Sequence, residues 1–173
     1  MGYIDLNKKK IVITGTSTGL GLDLAKKFLK SGNYVWGCSR SRSKILHKNY
    51  KHQILDLGKT QNLIKWVKKI KRDSSSSIDI LIINAAYYVR RLNYFENEKN
   101  IIKTISTNLT SRILITKKIS ELMIKKNQGM IVFFSSSAVI VKDIGTSTYS
   151  SSKAGLEVFA NILNKELKKF YIK

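Results

Sequence analysis

The chain has 173 residues, 43% of them hydrophobic, with one cysteine and no proline. That length suits one domain with a full core, a lone cysteine excludes an internal disulfide, and no apolar run is long enough to span a bilayer. The formal charge of +21 comes from 32 Lys and Arg against 11 Asp and Glu, but the lysines are spread over the whole chain and no nucleic-acid motif accompanies them. The charge therefore reads as compositional bias that favours anionic ligands, with no nucleic-acid and no membrane partner expected.

Met1-Gly2 opens like a myristoylation site, but Leu6 stands where Ser or Thr is wanted. Lys8-Lys9-Lys10 leads straight into a strand broken by glycines, so no secretory signal is read and the cytoplasm is expected. Ile11, Val12 and Ile13 form a continuous β-branched run, the pattern of a strand buried on both faces of a parallel sheet. Gly15, Gly19 and Gly21 follow, spaced to let the backbone turn sharply and approach a bound phosphate. A helix beginning near Leu20 aims its free N–H groups and positive dipole end at that phosphate. By itself the turn is equally compatible with an ordinary glycine-rich strand-to-helix connection.

Leu20, Leu24, Phe28 and Leu29 keep helical spacing, and Gly32-Asn33 closes the helix. Tyr34 to Cys38 reads as a second strand, with Cys38 a small buried hydrophobe. In a dinucleotide fold, an acidic residue at this strand end would bind the adenine ribose hydroxyls. Ser39 and Arg40 stand there instead, with Arg42 close by. A guanidinium can hold a 2′-phosphate that an acid would repel, which points to NADP in preference to NAD. Solvated loop charges are the plain alternative for both arginines. His47 and His52 have no ligating neighbours in sequence and read as surface histidines, so no metal is expected.

Gln53 to Leu57 reads as a third strand ending in Asp56, followed by a helix from Thr60 to Lys71. Ile78 to Ile83 is the strongest strand pattern, and runs into Asn84-Ala85-Ala86. Residues 87–100 carry no clear pattern. From about Ile101 to Asn127 the spacing is helical, and Asn108 interrupts the apolar face. Met130 to Phe134 is a fifth strand, ending at Ser135-Ser-Ser137. A final helix holds Tyr149, Lys153, Leu156 and Phe159. Strands alternating with helices predict an α/β fold with a doubly wound parallel sheet, in which ligands bind at the carboxyl ends of strands.

Tyr149 and Lys153 stand four apart and share a helix face. A phenol titrates near 10 in water, and a neighbouring ammonium lowers that value toward neutrality. Such a pair can protonate a developing alkoxide or deprotonate an alcohol. With eight tyrosines and abundant lysine, about one such pair arises by chance, so its context decides.

In that context the chain resembles the classical short-chain dehydrogenase/reductase family, in register from Lys10 to about Lys169. Thr14-Gly-Thr-Ser-Thr-Gly-Leu-Gly21 matches the family's TGxxxGxG turn, and Asp56-Leu57 its Asp-apolar pair at the adenine. Ile83-Asn-Ala-Ala86 matches its NNAG in two of four positions. Asn108, Ser136 and Tyr149-Ser-Ser-Ser-Lys153 match its helix asparagine, strand-end serine and YxxxK. Within the family, the stretch from Asn108 to Leu167 is most similar to 3-oxoacyl-carrier-protein reductases.

The resemblance implies a Rossmann-like sheet in the order 3-2-1-4-5, within a single NAD(P)-binding domain over 1–173. It implies cofactor contacts from Thr14, Gly15, Gly19, Leu20, Gly21, Ser39, Arg40, Asp56, Leu57, Asn84, Ala85, Tyr149 and Lys153. It also implies catalytic roles. Ser136 would bind the substrate oxygen, Tyr149 would transfer the proton, and Lys153 would hold the nicotinamide ribose and tune Tyr149. Asn108 would hold a water linking Lys153 to solvent. The implied substrate is a small carbonyl or alcohol, and the implied assembly a homodimer or tetramer through the two long C-terminal helices. Thr18 departs from the family by standing where NADP-preferring members often carry Arg or Lys. The family continues through two more strands, a Pro-Gly turn and a substrate lid, so Lys173 is expected to end an N-terminal two-thirds. The fifth strand is then expected to be an exposed edge. A catalytically silent nucleotide-binding protein and a basic nucleic-acid binder remain the alternative functions.

Overall fold

A computed structural model describes residues 6–173, so Met1 and Gly2 lie outside the described residues. Five strands form one parallel sheet: β1 (Lys10–Thr14), β2 (Tyr34–Ser39), β3 (Tyr50–Ile54), β4 (Ile80–Ile83) and β5 (Met130–Phe133). Their order is β3-β2-β1-β4-β5, as expected. The apolar run of β1 lies at the centre, and Ile11, Val12 and Ile13 are fully buried. Helices α1 (Gly19–Lys30), α2 (Thr60–Asp73), α3 (Glu98–Ile105), α4 (Ser111–Lys125), α5 (Ala138–Val141) and α6 (Ser147–Leu167) surround the sheet. One apolar cluster packs α2 and α4 on one face, through Leu63, Trp66, Ile115 and Ile119. A second packs Ala25 and Leu29 of α1 on the other. Cys38 is buried as expected, and burial pushes its thiol up to about 12.

Several boundaries differ from the expectations, each for a physical reason. The third strand runs from Tyr50 to Ile54, three residues earlier than the apolar pattern placed it. Among the described residues it is an outer strand paired with β2, none of its residues is fully buried, and it therefore carries no apolar run. Asp56 consequently lies in the turn after the strand. β4 begins at Ile80, just after Asp79, whose carboxylate accepts from the Lys10 backbone N–H at 2.7 Å and pairs with Lys126. The long helix expected from Ile101 is α3 and α4 joined by a π-helical turn, Ser106–Thr110, around Asn108. It starts earlier, at Glu98, where the Asn97 side chain accepts from the Asn100 N–H at 2.9 Å. Leu20 stands 51% exposed at the head of α1 rather than on its packed face.

The outer edge of β5 is not bare. After α6 the chain turns through Lys168–Phe170, and Tyr171 adopts a left-handed conformation (φ 53°) that sends Ile172 and Lys173 back along β5. The Ile131 N–H donates to the Lys173 carbonyl at 2.7 Å, and the Lys173 N–H to the Gly129 carbonyl at 3.1 Å. Ile172 is buried, and β5 is half-buried along its length. This corrects the expectation of an exposed fifth strand.

Candidate functional site

The glycine turn leaves the carboxyl end of β1 and is tied to both neighbouring strands. The Gly15 N–H donates to the Cys38 carbonyl at 2.7 Å. The Thr14 hydroxyl oxygen accepts from the backbone N–H groups of Asn84 and Ala85, at 3.0 and 3.1 Å. The Asn84 amide donates to the carbonyls of Thr14 and Gly15. Thr14 and Asn84 are thus committed to holding the turn. Gly21 serves packing as well: a Cβ there would lie 2.1 Å from the Gly15 carbonyl oxygen. Gly15 has φ +80°, and a Cβ on it would meet Ala85 and Asn84 at 2.9 Å.

Above this turn lies a cleft of about 300 Å³. It brings together Gly15, Ser39, Arg40, Asp56, Leu57, Asn84 and Ala85 of the expected cofactor set, joined by Ser17, Thr18, Ser41, Tyr87, Lys103 and Thr107. Thr14, Gly19, Leu20, Gly21 and Arg42 do not line it. The Asp56 carboxylate accepts from the Gly58 N–H at 2.9 Å. Lys103 lies 4.4 Å above the Tyr87 ring. Among the described residues no side chain caps the N-terminus of α1, and its first turn holds no acidic residue, so its N–H groups are open to an anion. The Thr107 hydroxyl, in the cleft wall, is buried without a partner among the described residues. A tight glycine cradle, an uncapped helix end, two cations and apolar Leu55 and Leu57 fit the phosphates and base of a dinucleotide.

The expected catalytic residues lie outside the lining of that cleft, around α6. Asn108 is fully buried in the π turn. Its side chain accepts from the Tyr87 N–H at 2.8 Å and donates to the Tyr87 carbonyl at 2.7 Å and to the Ser152 hydroxyl at 3.2 Å. Ser152 donates to the Tyr149 carbonyl at 2.6 Å. Lys153 is 2% exposed, and its ammonium donates to the Phe134 carbonyl at 2.7 Å. That ammonium lies 5.9 Å from the centre of the Tyr149 ring, whose edge meets Tyr88. Burial first, and the Arg112 guanidinium second, lower Lys153 to about 8, against an opposing pull from Glu157. Ser136 follows β5 and its hydroxyl accepts from the Ala138 N–H at 3.2 Å. Asn108, Tyr149 and Lys153 are therefore linked through Ser152 and the helix, while Ser136 sits two residues beyond the carbonyl that anchors Lys153.

Two features had no signal in the sequence pattern. Arg112 lies one helical turn after Asn108, 1% exposed, and all three of its guanidinium nitrogens lack a partner among the described residues. Desolvation lowers it to about 10, partly offset by Tyr149. His52, expected at the surface, is half-buried, with its Nε2 2.7 Å from the Ser39 hydroxyl. His47 is exposed as expected.

A parallel sheet in this order, with a glycine turn and a polar cleft at its carboxyl edge, defines a Rossmann-like doubly wound protein. Residues 9–173 match the family described as short chain dehydrogenase, and the chain belongs to that family of oxidoreductases. It is 34% identical to a 3-oxoacyl-[acyl-carrier-protein] reductase of Buchnera aphidicola, over 94% of this chain and 68% of that protein. A reductase of the same name from Chlamydia pneumoniae is 30% identical, over 95% and 69%. The yeast NADPH-dependent 1-acyldihydroxyacetone phosphate reductase is 26% identical, over 96% and 58%. The solved structure of a short-chain dehydrogenase from Streptomyces avermitilis superposes with a TM-score of 0.89 at 22% identity, over 96% of this chain and 63% of that one. At that identity the likeness concerns the fold.

Proposed function

We propose that the chain is an NADP-dependent reductase or alcohol dehydrogenase, working in the cytoplasm as one NAD(P)-binding domain over 1–173. The observation that carries this reading is the buried Lys153 ammonium beneath Tyr149, fixed by the Phe134 carbonyl at the carboxyl end of the sheet. Gly15, Gly19, Leu20 and Gly21 bring the uncapped α1 terminus to the pyrophosphate. Asp56, Leu57 and Ala85 line the adenosine, with Thr14 and Asn84 holding the turn in shape. Ser39 and Arg40 read the 2′-phosphate, a role that agrees with the NADPH dependence in the yeast relative's name. When bound, the nicotinamide supplies or accepts the hydride.

Tyr149 gives its phenolic proton to the substrate oxygen, or takes one from an alcohol. Ser136 hydrogen-bonds the same oxygen and orients it. Lys153, as a cation, stabilises the phenolate that remains. Asn108 and Ser152 hold the Tyr149 turn of α6 in place and connect it to the Tyr87 segment. A 3-oxoacyl thioester is the first substrate to try, since two relatives are named for such a reaction. Val158 and Ile162 leave an apolar stripe exposed on α6, suited to a homodimer through α4 and α6. The test is NADPH consumption with a panel of ketones and 3-oxoacyl thioesters. Turnover supports the reading. A folded chain that binds NADPH and consumes none with any of them is a silent binder, and the enzymatic reading fails.

A further inference from the structure

His52 and Tyr50 lie side by side on β3, on the sheet face that β2 presents through Gly37 and Ser39. Their rings stack with centroids 6.0 Å apart. Gly37 makes room for the Tyr50 ring and Thr16: a Cβ there would lie 2.4 Å from the Thr16 hydroxyl and 2.6 Å from that of Tyr50. Tyr50 donates to the Thr16 hydroxyl at 2.7 Å, behind the glycine turn. His52 Nε2 meets the Ser39 hydroxyl at 2.7 Å, in the wall of the cleft beside Arg40. Each of two hydroxyls at the nucleotide end is thus backed by a ring from the outer strand.

Proton counting fixes the direction of the second contact. Ser39 has one hydroxyl hydrogen and two neighbours, the Ser41 carbonyl at 2.9 Å and His52 Nε2. A carbonyl only accepts. Both contacts are satisfied together only when Ser39 donates to Ser41 and His52 Nε2 carries a proton and donates to Ser39. An anion in the cleft can take the Ser39 hydrogen in place of the Ser41 carbonyl without disturbing His52. An imidazolium in that position is the stronger donor and polarises the hydroxyl toward the anion.

We propose that His52 is a positioning residue for the 2′-phosphate, acting through Ser39, and that it makes the preference for NADPH over NADH proton-dependent. This rests on the reading of Ser39 and Arg40 as the 2′-phosphate site. The groups in contact with His52 are Tyr50, stacked on it from its own strand, and Ser39 on β2; Thr16 meets Tyr50, and the exposed Arg40 is next along the chain from Ser39. Burial lowers the His52 imidazole below its ordinary value, and no neighbouring charge offsets it. His52 is accordingly neutral at neutral pH without a ligand, and a phosphate dianion favours its charged form. By linkage, NADPH raises the His52 midpoint, and protonation of His52 tightens NADPH. The contribution is present below the His52 midpoint of the complex and is lost as pH rises through it. The phosphate's own ionisation works in the opposite direction, and a variant with an uncharged donor at 52 isolates the histidine.

The chain has two histidines, so NMR titration of both rings is a direct test, with exposed His47 as internal reference. NADPH should raise the His52 midpoint relative to NADH and leave His47 where it was. The preference for NADPH, as a ratio of dissociation constants, should fall across the His52 midpoint in the wild type by about three- to tenfold relative to His52→Gln. Equal His52 midpoints with both cofactors, or the same pH trend in His52→Gln, overturns the proposal. Arg40→Asp separates the two levels. If it abolishes the NADPH preference while His52 titrates alike with both cofactors, only the role of His52 falls. If it leaves the preference intact, the 2′-phosphate is read elsewhere and both fall.

Discussion

The nucleotide end and the proton end of this molecule are built on opposite principles. At the nucleotide end, neutral groups pair with one another: Thr14 with Asn84 and Ala85, Tyr50 with Thr16, Ser39 with His52. At the proton end, two cations are sunk into the packing of α4 against α6. Among the described residues, the Lys153 ammonium donates to one carbonyl, and the Arg112 guanidinium has no partner. The first arrangement is held by pairs of uncharged groups, and His52 is the one member of those pairs that titrates near neutrality. The second is burdened by desolvated charge, and that same burial lowers Lys153 to about 8. On the proposed reading, binding uses a framework of paired groups and proton transfer takes place beside buried charge.

The sharpest way to break the contrast is to damage the satisfied end. Gly21→Val puts side-chain atoms against the Gly15 carbonyl and the Asn84 amide. It should cost more than about 3 kcal/mol in thermal unfolding and abolish NADPH binding measured by fluorescence. Arg40→Asp leaves the framework whole and reverses one charge. It should weaken NADPH roughly 10- to 100-fold while NADH changes little, by titration calorimetry. At the other end the sign inverts. Arg112→Met removes a buried unpaired charge and should stabilise the chain by about 1–3 kcal/mol in denaturant unfolding. It should also raise Lys153, since Arg112 lowers it, and move the alkaline limb of activity upward.

The smallest expected effect is on pH dependence, and it runs two ways. Lys153 is charged below about 8, and proton transfer uses the charged form, so kcat/KM for reduction should fall above that pH. Stability should do the reverse. The unfolded chain keeps the ordinary lysine value of 10.5 and binds more protons between about 8 and 10.5. Unfolding free energy should therefore rise through that window by up to about 1 kcal/mol per pH unit from this group. Melting curves and rate profiles over the same pH series check the opposition, and Lys153→Met should erase both trends.

The sheet order was legible because strands buried on both faces are unbroken apolar runs, as Ile11–Ile13 and Ile80–Ile83 are. β3 was misplaced because an outer strand carries no apolar run, while its buried neighbours Leu55 and Leu57 lie in the turn that follows. Apolar spacing continues through α3 and α4, and hides the π turn at Asn108 that joins them. The partnership of Ser39 with His52 joins residues 13 apart across two strands, which no local pattern encodes. Arg112 was invisible for a different reason: patterning assigns a charged residue to solvent, and here it is among the largest fully buried side chains.

The contrast between a binding end and a reacting end meets its most direct test in Tyr149→Phe. NADPH titration and NADPH consumption should be measured on this variant and on the wild type, with the same 3-oxoacyl thioester or ketone. Equal NADPH affinity with consumption lowered by about 10²-fold or more is the predicted result. Equal consumption by the two proteins would contradict the account, because the proton would then come from somewhere other than Tyr149.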